Sequence, residues 1–117
     1  MTDNIRIYHN PRCSKSRQTL ALIEAAGVQP EIVLYLDAPP SANQLKQILK
    51  QLELKPRDLL RKTEDLYKTH NLANPALSDQ ALIEIMCEYP KLIERPIVVK
   101  GNKAVIGRPP ENVNSLL

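Results

Sequence analysis

Nine consecutive residues, His9-Asn10-Pro11-Arg12-Cys13-Ser14-Lys15-Ser16-Arg17, concentrate the reactive groups of this chain. Cys13 is the strong nucleophile among them. No Asp or Glu occurs from Asn4 through Ile23, while Arg6, Arg12, Lys15 and Arg17 supply four positive charges. A free thiol with a pKa of about 8.5 is only roughly 3% ionised at pH 7. If Cys13 sits where a helix begins, unpaired backbone N–H groups favour its anion, but by only ~0.3–1 kcal/mol, less than about one pKa unit. The hydroxyls of Ser14 and Ser16, His9, and the neighbouring cations including Arg17 must supply the rest, by hydrogen bonding and charge. His9, four positions upstream, either orients the thiol or makes a structural hydrogen bond through its ring.

Spacing removes two thiol chemistries. Cys13 and Ser16 form C-x-x-S, which lacks the second thiol of a dithiol redox motif, and Thr19 stands six positions after the cysteine, where a tyrosine-phosphatase loop needs arginine. A reaction run by one cysteine needs an external thiol to finish. The other cysteine, Cys87, falls off the apolar stripe of its expected helix and is read as accessible; to resolve Cys13 it would have to come within ~7 Å between Cα atoms. Two cysteines are too few for a disulfide scaffold or a four-ligand metal site.

The elements that must position this loop are legible from periodicity. Ile5-Arg6-Ile7-Tyr8 alternates as a strand and leads into a helix carrying Leu20, Ile23 and Ala26 on one face and ending at Gly27. Ile32-Val33-Leu34-Tyr35-Leu36, apolar throughout, predicts a strand covered on both faces. Strand, helix and strand in about thirty residues predict a parallel βαβ unit. Ser41-Ala42-Asn43-Gln44 is a capping box for a helix burying Leu45, Ile48, Leu49 and Leu52. Lys55 to Leu77 reads as short helical pieces, with Pro56 in a first turn and His70 in a solvated loop. Ser78 caps a helix with Leu82, Ile85, Met86 and Tyr89 on one face, stopped by Pro90. Ile97–Lys100 and Lys103–Ile106 flank Gly101-Asn102 as a hairpin, and a short helix starts at Pro109 or Pro110. The expected class is α/β: a thioredoxin/glutaredoxin-like mixed four-stranded sheet in the order β-α-β, helical insertion, β-β-α.

Composition bounds the function. The 117 residues suit a single domain, 1–117, with 43% hydrophobic residues but four Tyr, no Phe and no Trp, so the core is aliphatic. A net charge of +3 without interleaved aromatics argues against nucleic-acid binding. The longest apolar run, five residues from Ile32 to Leu36, is far short of the ~20 needed to span a bilayer. Met1-Thr2-Asp3-Asn4 has no leader character, so a reducing, cytoplasmic location is expected.

These residues resemble the ArsC-type arsenate reductases, which depend on glutathione and glutaredoxin, and in particular their short chromosomal branch. The likeness runs from Ile5–Arg17 through Asp58-Leu59-Leu60-Arg61 and Leu92-Ile93-Glu94-Arg95-Pro96-Ile97-Val98-Val99 to Gly107-Arg108-Pro109-Pro110. The resemblance implies that Cys13 is the nucleophile, that Arg61, Arg95 and Arg108 surround the oxyanion, and that the bond before Pro96 is cis. Arginine suits a tetrahedral oxyanion because it stays charged and presents forked donors. Arg95 and Arg108 flank the expected hairpin and can converge; Arg61 rests on the resemblance, with Arg57 its nearest competitor. The partners implied are arsenate or a similar oxyanion, glutathione as co-substrate and glutaredoxin, acting on a monomer with no metal and no bound cofactor. In plasmid-encoded members Gly and Thr replace Ser14 and Lys15, so Lys15 adds charge beside this thiol.

Two rival functions have their own signatures. An Spx-like regulator that binds RNA polymerase senses oxidants through C-x-x-C, and Ser16 occupies the place of its second cysteine. A glutathione-dependent thiol transferase would act on protein mixed disulfides instead of arsenate.

Overall fold

A computed structural model describes residues 4–117; Met1-Thr2-Asp3, which open the segment read above for a leader, lie outside them. Two compact units form: one from the N-terminal segment through Ala38 together with Arg95–Leu117, and one from Pro39–Glu94.

The first unit is built on a four-stranded sheet of β1 (Ile5–Tyr8), β2 (Glu31–Val33), β3 (Ile97–Lys100) and β4 (Lys103–Ile106), in the order β2-β1-β3-β4. β2 runs parallel to β1, with helix α1 (Ser14–Ala25) between them in sequence, and β3 runs antiparallel to β1 and β4. This is the thioredoxin-like mixed sheet that the order of elements implies. In the β3–β4 turn Gly101 takes φ +61°, as the first central residue of a type II′ hairpin requires. Strand alternation sends Ile5 and Ile7 to the same face as Val98, where they meet Ile23 of α1 and Val113 and Leu116 of the terminal 3₁₀ helix, Pro110–Leu116. Each such side chain contributes about 1.5–3 kcal/mol on burial, so this cluster fixes α1 and the terminal helix against one sheet face.

Two expectations for this unit change. The apolar run at Ile32 yields a strand of only three residues, Glu31–Val33, not a doubly covered one; it lies at the sheet edge, and Ile32 and Leu34 are 46% and 41% exposed. The chain then turns, because the N–H groups of Asp37 and Ala38 both donate to the Leu34 carbonyl. On α1 the fully buried residues are Ser16, Thr19 and Ile23, while Leu20 is half-buried and Ala26 exposed. The helix stops at Ala25, before Ala26 can join a buried face, and Gly27 follows with φ +80° as expected. The two buried polar residues on that face belong to the first turns of α1, beside the reactive loop.

The second unit is helical: α2 (Ala42–Leu52), α3 (Pro56–Leu59), α4 (Asp65–Thr69) and α5 (Asp79–Glu88), with α2 and α3 packed on α5. The capping box of α2 is present, Gln44 N–H donating to Ser41 Oγ and Ser41 N–H to Gln44 Oε1. Pro56 opens α3, and Ser78 caps α5 by accepting from Ala81 N–H. The buried face of α5 is Leu82, Ile83 and Met86; Ile85 and Tyr89 are only half-buried, so the stripe is turned from the one read from sequence. His70 ends α4, exposed, with its ring 4.8 Å from that of Tyr89. Among the described residues no helix is long and apolar enough to cross a membrane.

Candidate active site

The loop that presents Cys13 is built by its own polar groups. Asn10 is buried, and its side-chain Oδ1 accepts from Arg12 N–H at 3.0 Å while its backbone carbonyl accepts from Cys13 N–H at 3.0 Å. This Asx turn ahead of the helix follows from the Asn-Pro pair, a turn-initiating dipeptide. Arg17 reaches back to the Pro11 carbonyl at 2.9 Å. Cys13 is thus the N-cap of α1, with extended backbone (φ −91°, ψ 122°), and its carbonyl accepts the first helical bond, from Arg17 N–H.

Both arginines flanking the hairpin act on this sulfur. Arg108 Nη2 approaches Cys13 Sγ at 3.5 Å, and Arg108 Nε donates to the Arg95 carbonyl at 2.7 Å. The Arg95 side chain also favours the thiolate. The peptide bonds Arg95–Pro96 and Arg108–Pro109 are both cis; the resemblance implied the first and not the second. Burial pushes the Cys13 thiol up in pKa, but the Ser16 N–H, the Arg95 guanidinium, the Lys15 N–H and the charge of Arg108 outweigh it, and the net shift is downward. The thiol closes no cap hydrogen bond; the first-turn amides favour its charged form as the positive end of the helix start.

The serines divide differently from the sequence expectation. Ser16 supports the sulfur with its backbone, not its hydroxyl: Ser16 Oγ is buried 2.6 Å from His9 Nδ1 and accepts from Asn10 N–H at 3.0 Å. Ser14 is exposed at the start of α1, and its hydroxyl is not among the groups acting on the thiol. His9 therefore braces the loop through Ser16, the structural alternative left open for it. Burial first, and the charge of Arg17 second, lower the His9 pKa against a smaller opposing effect of Glu24. The unfolded chain takes up a proton near pH 6.5 and folded His9 resists it. The stabilisation from neutral His9 is therefore complete above about 6.5 and lost as pH falls through the lower folded value. Between about pH 7.5 and about pH 5.5 the urea midpoint of the parent should drop further than that of His9→Gln. Parallel curves would remove this role.

Arg61 belongs to the helical unit, where its guanidinium is ion-paired with Glu94 at 3.0 Å and Glu64 at 3.5 Å. Arg57, its competitor, spends its donors on the Leu72 and Asn74 carbonyls at 2.8 and 3.0 Å, which closes a loop of that unit. Cys87 is half-buried on α5, and burial followed by Glu84 raises its pKa, the opposite of Cys13. Among the described residues no three His, Cys, Asp or Glu side chains are grouped to hold a metal.

Residues 8–116 match the model of the ArsC family. The chain belongs to the ArsC family. Within it, the chain is 57% identical over 114 residues to the uncharacterised protein YfgD of Escherichia coli K12, covering 97% of this chain and 96% of that one. It is 50% identical over 115 residues to an arsenate reductase of Haemophilus influenzae, covering 97% and 99%. A solved structure of an arsenate reductase from Vibrio cholerae superposes with a TM-score of 0.96 at 50% identity, covering all of both chains. The ArsC assignment spans the reactive loop, both arginine–proline steps and the terminal 3₁₀ helix.

Proposed function

We propose that this protein reduces arsenate to arsenite through the Cys13 thiolate, with glutathione and glutaredoxin supplying the electrons. The observation that carries the reading is the convergence of Arg95, Arg108 and the first-turn amides of α1 on one half-buried sulfur whose pKa is lowered. A thiolate and an arsenate dianion repel each other unless fixed cations screen both, and forked guanidinium donors match tetrahedral oxygens. The names borne by the Haemophilus and Vibrio relatives support the same substrate. Arsenate docks against Arg95 and Arg108, and Cys13 attacks arsenic, forming a sulfur–arsenic bond as hydroxide or water departs. Glutathione thiolate then attacks the Cys13 sulfur. The sulfur–arsenic electron pair stays on arsenic, which falls from the +5 to the +3 state and leaves as arsenite. Glutaredoxin clears the Cys13–glutathione disulfide by thiol exchange. The sequence needs no metal or bound organic cofactor, and we place it in a monomer in the cytoplasm. It rests on Arg95 and Arg108, and the resemblance adds Arg61.

The test is NADPH oxidation by the purified protein coupled through glutathione reductase, glutathione and glutaredoxin. Oxidation is expected to depend on arsenate, on glutaredoxin and on this protein, whereas a glutathionylated peptide, which glutaredoxin itself reduces, should be consumed no faster when the protein is added. Peptide turnover by this protein with glutaredoxin left out, and none of arsenate with it present, would replace this reading by thiol transfer. Capture of RNA polymerase without reductase activity would replace it by a regulatory one.

A further inference from the structure

Thr19 is fully buried on α1 and has no place in the chemistry above, yet its hydroxyl donates to the Lys15 carbonyl at 2.8 Å and lies 3.5 Å from the Gly107 carbonyl. The Lys15 carbonyl and the Ser16 N–H are two ends of one peptide group in the turn that Cys13 caps, and that N–H favours the Cys13 thiolate. A hydrogen bond to the oxygen of an amide polarises its N–H and fixes its plane, so donors in series strengthen one another, by about 10–30% per bond. On its other side Thr19 meets Gly107, the residue before Arg108. A Cβ on Gly107 would collide with Thr19 Oγ1 and stand 2.8 Å from Pro96 Cγ, and Gly107 N–H donates to the Pro96 carbonyl at 2.9 Å. The steps carrying Arg95 and Arg108 therefore close on α1 at one point, where no methyl group fits.

We infer that Thr19 is a positioning residue for the Cys13 nucleophile: its hydroxyl holds the Lys15–Ser16 peptide so that the Ser16 N–H faces the sulfur, and its side chain seats Gly107, and with it Arg108, against the same helix. The inference rests on Cys13 being the reactive thiol. It does not need arsenate to be the substrate, so it is tested on the thiol itself.

The experiment measures the pH dependence of iodoacetamide alkylation in a Cys87→Ala background, with circular dichroism as the check on folding. Two matched pairs separate hydroxyl from packing: parent against Thr19→Val, which keep the methyl, and Thr19→Ser against Thr19→Ala, which lack it. In each pair the member without the hydroxyl should alkylate roughly two- to threefold more slowly near neutral pH, with its midpoint moved upward. Thr19→Ser should stay close to the parent in midpoint although its melting temperature falls. If Thr19→Val does not fold, the serine–alanine pair decides alone. Equal midpoints within a pair of folded variants, or a serine variant shifted as far as alanine, would overturn the inference.

Discussion

Cys13→Ser will fold like the parent and will show no arsenate-dependent NADPH oxidation in the glutaredoxin-coupled assay. The expected loss is more than about a thousandfold, the scale seen when a nucleophile is removed. A serine hydroxyl offers no anion at neutral pH that Arg95 and Arg108 could hold. The fold should not suffer, because Cys13 occupies the N-cap of α1 without closing a cap bond, and serine is among the preferred N-cap residues. Its oxygen can accept from the same first-turn amides, so stability should be unchanged or up by about 0.5–1 kcal/mol. Lost turnover together with a retained melting temperature locates the defect in chemistry. Full turnover by this variant would end the covalent mechanism.

What the sequence made legible was whatever depends on neighbours in the chain. The loop before α1, the capping box at Ser41, the Ser78 cap and the Gly101-Asn102 hairpin are local, and all four form as their spacing predicts. Cys13 was legible for the same reason: an acid-free run placed ahead of a helix is visible in one dimension. Environment set by distant residues was not. Nothing in Ile32–Leu36 says that the strand forms at a sheet edge, where apolar side chains stay exposed and pairing stops after three residues. The sequence does not announce that Ser16 and Thr19 are fully buried, because their partners His9 and Gly107 arrive through the fold of the loop and the return of the chain after β4. Arg95 and Arg108 illustrate the middle case. The flanks of a hairpin bring two residues together whatever their identity, so their meeting was predictable, whereas the Nε bond from one to the other's carbonyl was not. Arg61 and Arg57 could be told apart only by their partners, two glutamates for one and two carbonyls for the other.

Arg108 is the residue whose loss should cost most after the nucleophile. Its guanidinium is used at two points at once, with Nε on the Arg95 carbonyl and Nη2 on the Cys13 sulfur. A rigid fork can hold both; a lysine ammonium on a flexible stem can serve one at a time. Alanine removes a charge-assisted hydrogen bond to the thiolate, one to the docked anion, and the anchor that keeps the Arg95 main chain in place. At about 1.5–3 kcal/mol for each bond to a charged group, losing the first two weakens transition-state binding by about 3–6 kcal/mol, or two to four decades in kcat/KM for arsenate. Arg108→Lys should restore charge without geometry and recover no more than about tenfold of that loss. Because Arg108 also favours the thiolate, alkylation of Cys13 near neutral pH should slow in both variants, and more in alanine. The split between the two readouts is diagnostic. If alkylation slows while kcat/KM holds, Arg108 tunes the thiol and the anion is bound elsewhere; if Arg108→Lys matches the parent in both, the forked contact has no part in the reaction.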